Sequence, residues 1–173
     1  MAQQELDDEE VRDRLWKEIK DVRYGMLGVV GSHDHFQPMV VYPDPEASTL
    51  WFFTRKDREI ARSAQDADTE AMFIVQSRDQ EVQACISGRL LQDGSRTAID
   101  QYWNPAAAAW YPNGKDDPYL TMLKLEGRSA AVWISEGGQA KRQLEIAKSA
   151  ITGDRPHLSR HFELPLGGGG LRA

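Results

Sequence analysis

Apolar residues recur at spacings of three and four from Val11 through Leu15 and Ile19 to Val22. That spacing predicts an amphipathic helix with one buried stripe. An acidic stretch from Glu5 to Glu10 stands at its start and lysines at its far end, the arrangement the helix dipole favours. The pattern then changes period. "YGMLGVVG" (Tyr24 to Gly31) predicts a buried strand, "SHDHFQ" a turn, "PMVVYP" a second strand and "TLWFFT" (Thr49 to Thr54) a third. Short, turn-rich links between them predict an antiparallel meander. "RKDREIARSAQ" reads as a short helix, then "EAMFIVQS" and "EVQACISGRLLQ" as two strands turning at "RDQ". Gly88, in the middle of the longer one, marks a bulge or bend.

"SRTAIDQYW" reads as a helix capped by Ser95. "YLTMLKLEG" and "SAAVWIS" read as two late strands, and "AKRQLEIAKSAITG" as a final helix stopped by Gly153. The order is helix, three strands, helix, two strands, helix, two strands, helix. It predicts a mainly β fold, an antiparallel barrel with flanking helices, rather than a doubly wound sheet. Residues 1–164 form the expected single domain, and 165–173, "PLGGGGLRA", a flexible tail.

The chain has 173 residues, 40% of them hydrophobic, which suits one domain with a real core. Its net charge of -6 argues against bulk binding to a nucleic-acid backbone, while leaving room for a local basic pocket. A single cysteine, Cys85, allows no intrachain disulfide and points to a reducing compartment. Its place in an alternating apolar run predicts a buried, inert thiol. The acidic N-terminus is unlike a signal peptide, and no apolar run approaches the ~18 residues of a membrane helix. The expectation is a cytoplasmic protein.

Candidate chemistry is sparse. His33, Asp34 and His35 share one turn, and the other histidines, His157 and His161, lie far along the chain. That ligand count predicts no metal site. "GGGG" at Gly167 to Gly170 follows no strand and opens no helix, so it is not a nucleotide loop. Ser32 beside His33 is sequence proximity, and a triad is defined by geometry. "TRKDRE" (Thr54 to Glu59) is a basic cluster directly after an aromatic strand. It reads either as a phosphate site at a helix start or as a solvated first turn.

"TLWFFT", the basic cluster, "EVQACISGRL" and "YWNPAAAAWYPNGKDDP" together resemble the general-stress-protein branch of the pyridoxamine 5'-phosphate oxidase-like flavoproteins. The order of elements agrees from about Leu15 to Trp133. The resemblance implies an FMN-binding split β-barrel with the flavin at a homodimer interface. It implies that Met39 and Val40 lie beside the flavin ring, with Phe53 and Thr54 running along it. Arg55 and Lys56 would hold the phosphate, and Gln83 would reach in from the partner subunit. In this sequence Arg55 follows Thr54 at once, so the phosphate loop is shorter than the family's. The arginine and histidine pattern of the true pyridoxamine phosphate oxidases near the C-terminus is not evident, which argues against vitamin B6 oxidation.

On this resemblance, the segment from Trp103 to Pro118 covers the flavin cleft, with Trp110 over or beside the ring and Lys115 adding charge near it. Pro105 and Pro112 stiffen the segment, and Asn113-Gly114 turns it. The same residues also read as core tryptophans followed by a plain turn. The implied function is that of an FMN-dependent oxidoreductase, acting with a small-molecule substrate or electron donor. The alternatives are a flavin-binding or storage protein without turnover, and a cofactor-free interaction module.

Overall fold

The computed structural model describes residues 6–135, 137–153 and 159–167. The first helix, α1 (Asp8–Val22), begins with a capping box. The Asp7 carboxylate accepts from the Glu10 amide at 2.8 Å, and the Asp7 amide donates back to Glu10 at 3.1 Å. Val11, Leu15 and Ile19 are buried as their spacing predicts, and Trp16 joins them. The helix stops at Arg23, which takes a left-handed φ of 58°.

Among the described residues eight strands follow: β1 (Tyr24–Val29), β2 (Gln37–Val40), β3 (Tyr42–Asp44), β4 (Thr49–Arg55), β5 (Glu70–Gln76), β6 (Val82–Asp93), β7 (Leu120–Ile134) and β8 (Arg160–Pro165). Between them stand α2 (Glu59–Ser63), α3 (Arg96–Tyr102), α4 (Pro105–Ala108) and α5 (Gly138–Thr152). The sheet runs β2-β1-β5-β6-β7-β4-β3, with every pairing antiparallel.

The expected strand "PMVVYP" is two strands at opposite ends of that path. β2 pairs with β1 and β3 pairs with β4, with only Val41 between them. One residue cannot bridge the width of a flat sheet, so the sheet must curl until its two ends meet. β2 accordingly approaches β4. The curl brings Phe52 of β4 and Phe73 of β5, three places apart in the strand order, to a ring separation of 5.3 Å. These rings, with Leu27, Leu50, Ile86, Leu90, Leu123 and Leu125, fill the barrel, and α1 closes over it. This is the expected mainly β split barrel with flanking helices.

The two late strands expected on either side of Gly127 are one strand, β7. Its partner on one edge changes there: β4 pairs with it up to Glu126, and β8 takes over from Ser129. Gly88 sits at the register shift where β6 bends. A Cβ on Gly88 would lie 2.0 Å from the Glu126 carbonyl oxygen, so the bend requires glycine. β8 was not foreseen, and it carries the packed chain past the expected boundary at 164. Pro165 pairs with Ser129, and Leu166 is buried with its amide on the Arg128 carbonyl at 2.9 Å. The "GGG" of residues 168–170 and all that follows lie outside the described residues. Gly153 ends α5 in the left-handed region, at φ 78°.

Candidate functional site at the seam of the barrel

Alternation along β4 sends Leu50, Phe52 and Thr54 inward and Trp51, Phe53 and Arg55 outward. A second apolar layer covers the outward aromatics. Trp103, at the end of α3, meets Phe53 edge-on at 5.8 Å and Tyr111 at 6.2 Å, and Tyr102 lies 5.5 Å from Trp51. Asn104 holds this layer in place. Its side-chain oxygen caps α4 by accepting from Ala106 and Ala107, and its amide donates to the Tyr42 hydroxyl at 2.9 Å. Tyr111 is buried here, and burial pushes its phenol up to about 12.

The segment from Trp103 to Pro118 therefore does two different things. Trp103 is packing. Trp110 projects from the end of α4 and is 79% exposed. Gly114 turns the chain with a φ of 65°. Lys115 makes an ion pair with Asp100, whose carboxyl it holds below the usual range. Arg96 adds Asp116 to this network at 2.7 Å, so the charge of Lys115 is already matched within the chain.

The seam where β2 meets β4 gathers most of the other expected residues. Met39 and Val40 are half-buried on β2, with Met39 against the core. Thr54 ends the inward row of β4 at 8% exposure, opposite Thr121. Its hydroxyl has no hydrogen-bond partner among the described residues.

The basic cluster spans a strand end and a helix start. Arg55 is the last residue of β4, Lys56 and Asp57 turn the chain, and Arg58 stands at the N-cap of the five-residue helix α2, which begins at Glu59. Arg55 is held by two hydrogen bonds to Asp57, at 3.0 and 2.8 Å, and lies 4.4 Å over the Tyr119 ring. Lys56 and Arg58 are exposed and form no ion pair among the described residues. Of the adjacent pair expected at the phosphate, Arg55 is bound by Asp57 and Lys56 is not. Arg58 helps to hold the Asp57 carboxyl below its usual range but makes no direct ion pair among the described residues.

Gln83 lies elsewhere. It faces outward on β6, donates to the Gln80 carbonyl at 2.7 Å, and sits opposite Trp133 of β7. Thr54 sits opposite Thr121 of the same strand. The two positions lie twelve residues apart on β7, toward its opposite ends, about 40 Å measured along the strand.

Gln83 belongs to a broad outward face of β1, β5, β6 and β7 that carries Tyr24, Met26, Ile74 and Trp133 exposed. Cys85 is on this face, half-buried rather than in the core. Desolvation pushes its thiol pKa up. His161 of β8 stacks on Trp133 with centroids 4.9 Å apart. His33, Asp34 and His35 lie exposed in their turn, and His157 lies outside the described residues. Among the described residues no group of three metal-ligating side chains gathers, and no helix is long and apolar enough to cross a membrane.

An open cleft of about 460 Å³ lies elsewhere on the outward side, lined by Trp51, Arg89, Lys124, Glu126 and Arg128 among others. Its charges are matched internally: Glu126 takes Arg89 at 2.7 Å and Lys124 at 2.9 Å, and Arg128 pairs with Glu70 at 2.9 Å. The cleft thus offers a ligand less unmatched charge than the seam does.

Similarity to known proteins agrees with this architecture. A general stress protein 26 from Jannaschia sp. CCS1 shares 30% identity and a TM-score of 0.74, over 91% of this chain and 99% of its own. A general stress family protein from Xanthomonas campestris pv. campestris shares 36% identity and a TM-score of 0.70, over 78% of this chain and 94% of its own. A general stress FMN/FAD binding protein from Xanthomonas citri shares 33% identity and a TM-score of 0.70, over 76% and 93%. No curated protein matches. The sequence profile described as "Pyridoxamine 5'-phosphate oxidase like" matches residues 10–157. With that profile spanning most of the chain, and relatives this similar over nearly their whole length, the protein belongs to the pyridoxamine 5'-phosphate oxidase-like family.

Proposed function

We propose that this protein binds FMN at the seam between β2 and β4, within a homodimer, and acts as a flavin-dependent oxidoreductase. The observation that carries the reading is the donor set at the end of β4. Lys56 and Arg58, which form no ion pair among the described residues, follow closely in the chain on Thr54, whose hydroxyl is likewise without a partner there, in a chain of net charge -6. Two such cations and a hydroxyl suit a phosphate ester, whose oxygens accept charge-assisted hydrogen bonds. Met39 and Val40, with the Phe53 backbone, supply the apolar and backbone surface that a flat ring needs. The residues present fit the group, and the Xanthomonas citri relative is named for binding it.

FMN, when bound, supplies the electron-transfer chemistry. The chain's part is to bind, orient and shield it. Lys56 and Arg58 hold the phosphate. Arg55, fixed by Asp57 and Tyr119, holds the turn that presents them. Met39 and Val40 wall the ring, and Trp110 stands ready to cover it. Gln83 joins from the second copy; its position lies toward the opposite end of β7 from that of Thr54. The exposed outward face of Tyr24, Met26, Ile74 and Trp133 supports that pairing, since apolar patches of this kind mark interfaces. The lone cysteine suits a reducing compartment, and we place the protein in the cytoplasm.

The test is titration with FMN and with riboflavin, followed by an assay of NADH and NADPH oxidation by the loaded protein. The reading expects FMN to bind at least tenfold more tightly than riboflavin. Equal affinities would remove the phosphate site from the account. Tight FMN binding without oxidation of either donor would leave flavin storage as the function.

A further inference from the structure

α5 connects the end of β7 to the start of β8, yet every described side chain along it is exposed or half-exposed. Leu144 is 55% and Ile151 87% exposed, and Ile146 is exposed as well. Leu144, Ala147 and Ile151 follow the three-and-four spacing of a single helical stripe. The described ion pair of this helix, Lys148 with Glu145 at 3.4 Å, is internal to it. A helix of this length gains most of its stability from packing its apolar face, not from propensity alone. None of the described side chains of that face is buried within its own chain.

We propose that α5 is an exchanged arm: in the homodimer, its apolar stripe lies across the outward sheet face of the second copy. The inference rests on the dimer reading above and names the element that secures it. Three observations favour a second copy as the occupant. First, the same chain exposes the matching surface, the face of Tyr24, Met26, Ile74 and Trp133, and a two-fold axis lets each copy present both halves of the contact. Second, the sizes agree. From Leu144 to Ile151 the stripe rises about 10 Å. The two strand spacings from β7 through β6 to β5, which carry Trp133 and Ile74, span about 10 Å. Third, the net charges are opposite in sign: by sequence α5 sums to +2 on a chain whose total is -6, so the helix is attracted to a second copy as a whole. The helix begins at Gly138, four residues past the end of β7, the strand that carries Trp133 on that outward face.

The experiment is sedimentation equilibrium of the full chain and of the Leu144→Glu/Ile151→Glu double variant, with circular dichroism as a check on folding. Because both side chains are already exposed, the variant leaves the packing of the single chain intact. The proposal expects a dimer for the parent chain and at least tenfold weaker dimerisation for the variant. It also expects faster alkylation of Cys85, which the arm shields. The milder Leu144→Ala/Ile151→Ala variant should shift both readouts in the same direction. A variant dimer as tight as the parent overturns the arm and leaves the dimer standing. A parent chain that is monomeric overturns both.

Discussion

Replacing Tyr111 with phenylalanine should change stability in alkali and leave it nearly unchanged near neutrality. The phenol is buried against Trp103 in the layer that α3 and α4 lay over β4. Its hydroxyl has no hydrogen-bond partner among the described residues, so Tyr111→Phe costs under about 1 kcal/mol at neutral pH. Burial raises the phenol from 10.0 to about 12 in the native protein, with the Arg55 charge opposing and Asp117 and Tyr42 adding to it. Below the unfolded value neither state ionises, and the contribution is fully present. Between the two values the unfolded chain sheds its proton while the native chain keeps it, so stability falls as pH rises. Two pH units at 1.36 kcal/mol each give a total loss of about 2.7 kcal/mol, roughly half of it by about pH 11. Phenylalanine has no proton to lose. Urea unfolding of both proteins at about pH 9 and about pH 11 should therefore show the parent losing about 1.4 kcal/mol more than the variant. Parallel losses would mean that Tyr111 is solvated, and that the second layer does not sit on β4 as described.

Other expectations follow from the same contacts. Lys56→Ala/Arg58→Ala removes two charge-assisted contacts of roughly 1.5–3 kcal/mol each, so FMN affinity should fall at least about tenfold with riboflavin unmoved. An equal loss for both ligands would point to ring packing or folding instead. Arg55→Ala should instead loosen the turn and weaken FMN less than the double variant does; a larger loss would return Arg55 to the phosphate. Trp110→Phe, at a site 79% exposed in the chain, should leave stability unchanged but remove a distinct part of the fluorescence quenching by FMN. An unchanged quench would place Trp110 away from the flavin. Gly88→Ala forces a Cβ to within 2.0 Å of the Glu126 carbonyl and should destabilise by roughly 1–3 kcal/mol or more. A melting temperature equal to the parent's would contradict the bulge.

The features legible in the sequence are those whose cause is local. The apolar stripe of α1, the Ser95 cap of α3, the Gly88 bend and the Gly153 stop each follow from a residue and its immediate neighbours. What stayed hidden depends on partners distant in sequence. Nothing at Val41 reveals that β2 and β3 pair with opposite ends of the sheet. Gly127, Arg128 and Ser129 look like a turn, yet β7 runs through them because β4 and β8 share its edge end to end. At the site, adjacency suggested Arg55 with Lys56, while the bidentate pairing with Asp57 binds Arg55 and not Lys56. Trp103 and Trp110 look alike in sequence and differ in structure, because the one-turn helix α4 points them to opposite fates.

In the proposed function two copies complete each flavin site together. Light scattering with simultaneous visible absorbance on the FMN-saturated protein gives mass and flavin content in one elution. A particle of twice the 19.5 kDa chain mass carrying one FMN per chain is expected. A monomer that carries its full complement of FMN, or a dimer that carries none, would contradict it.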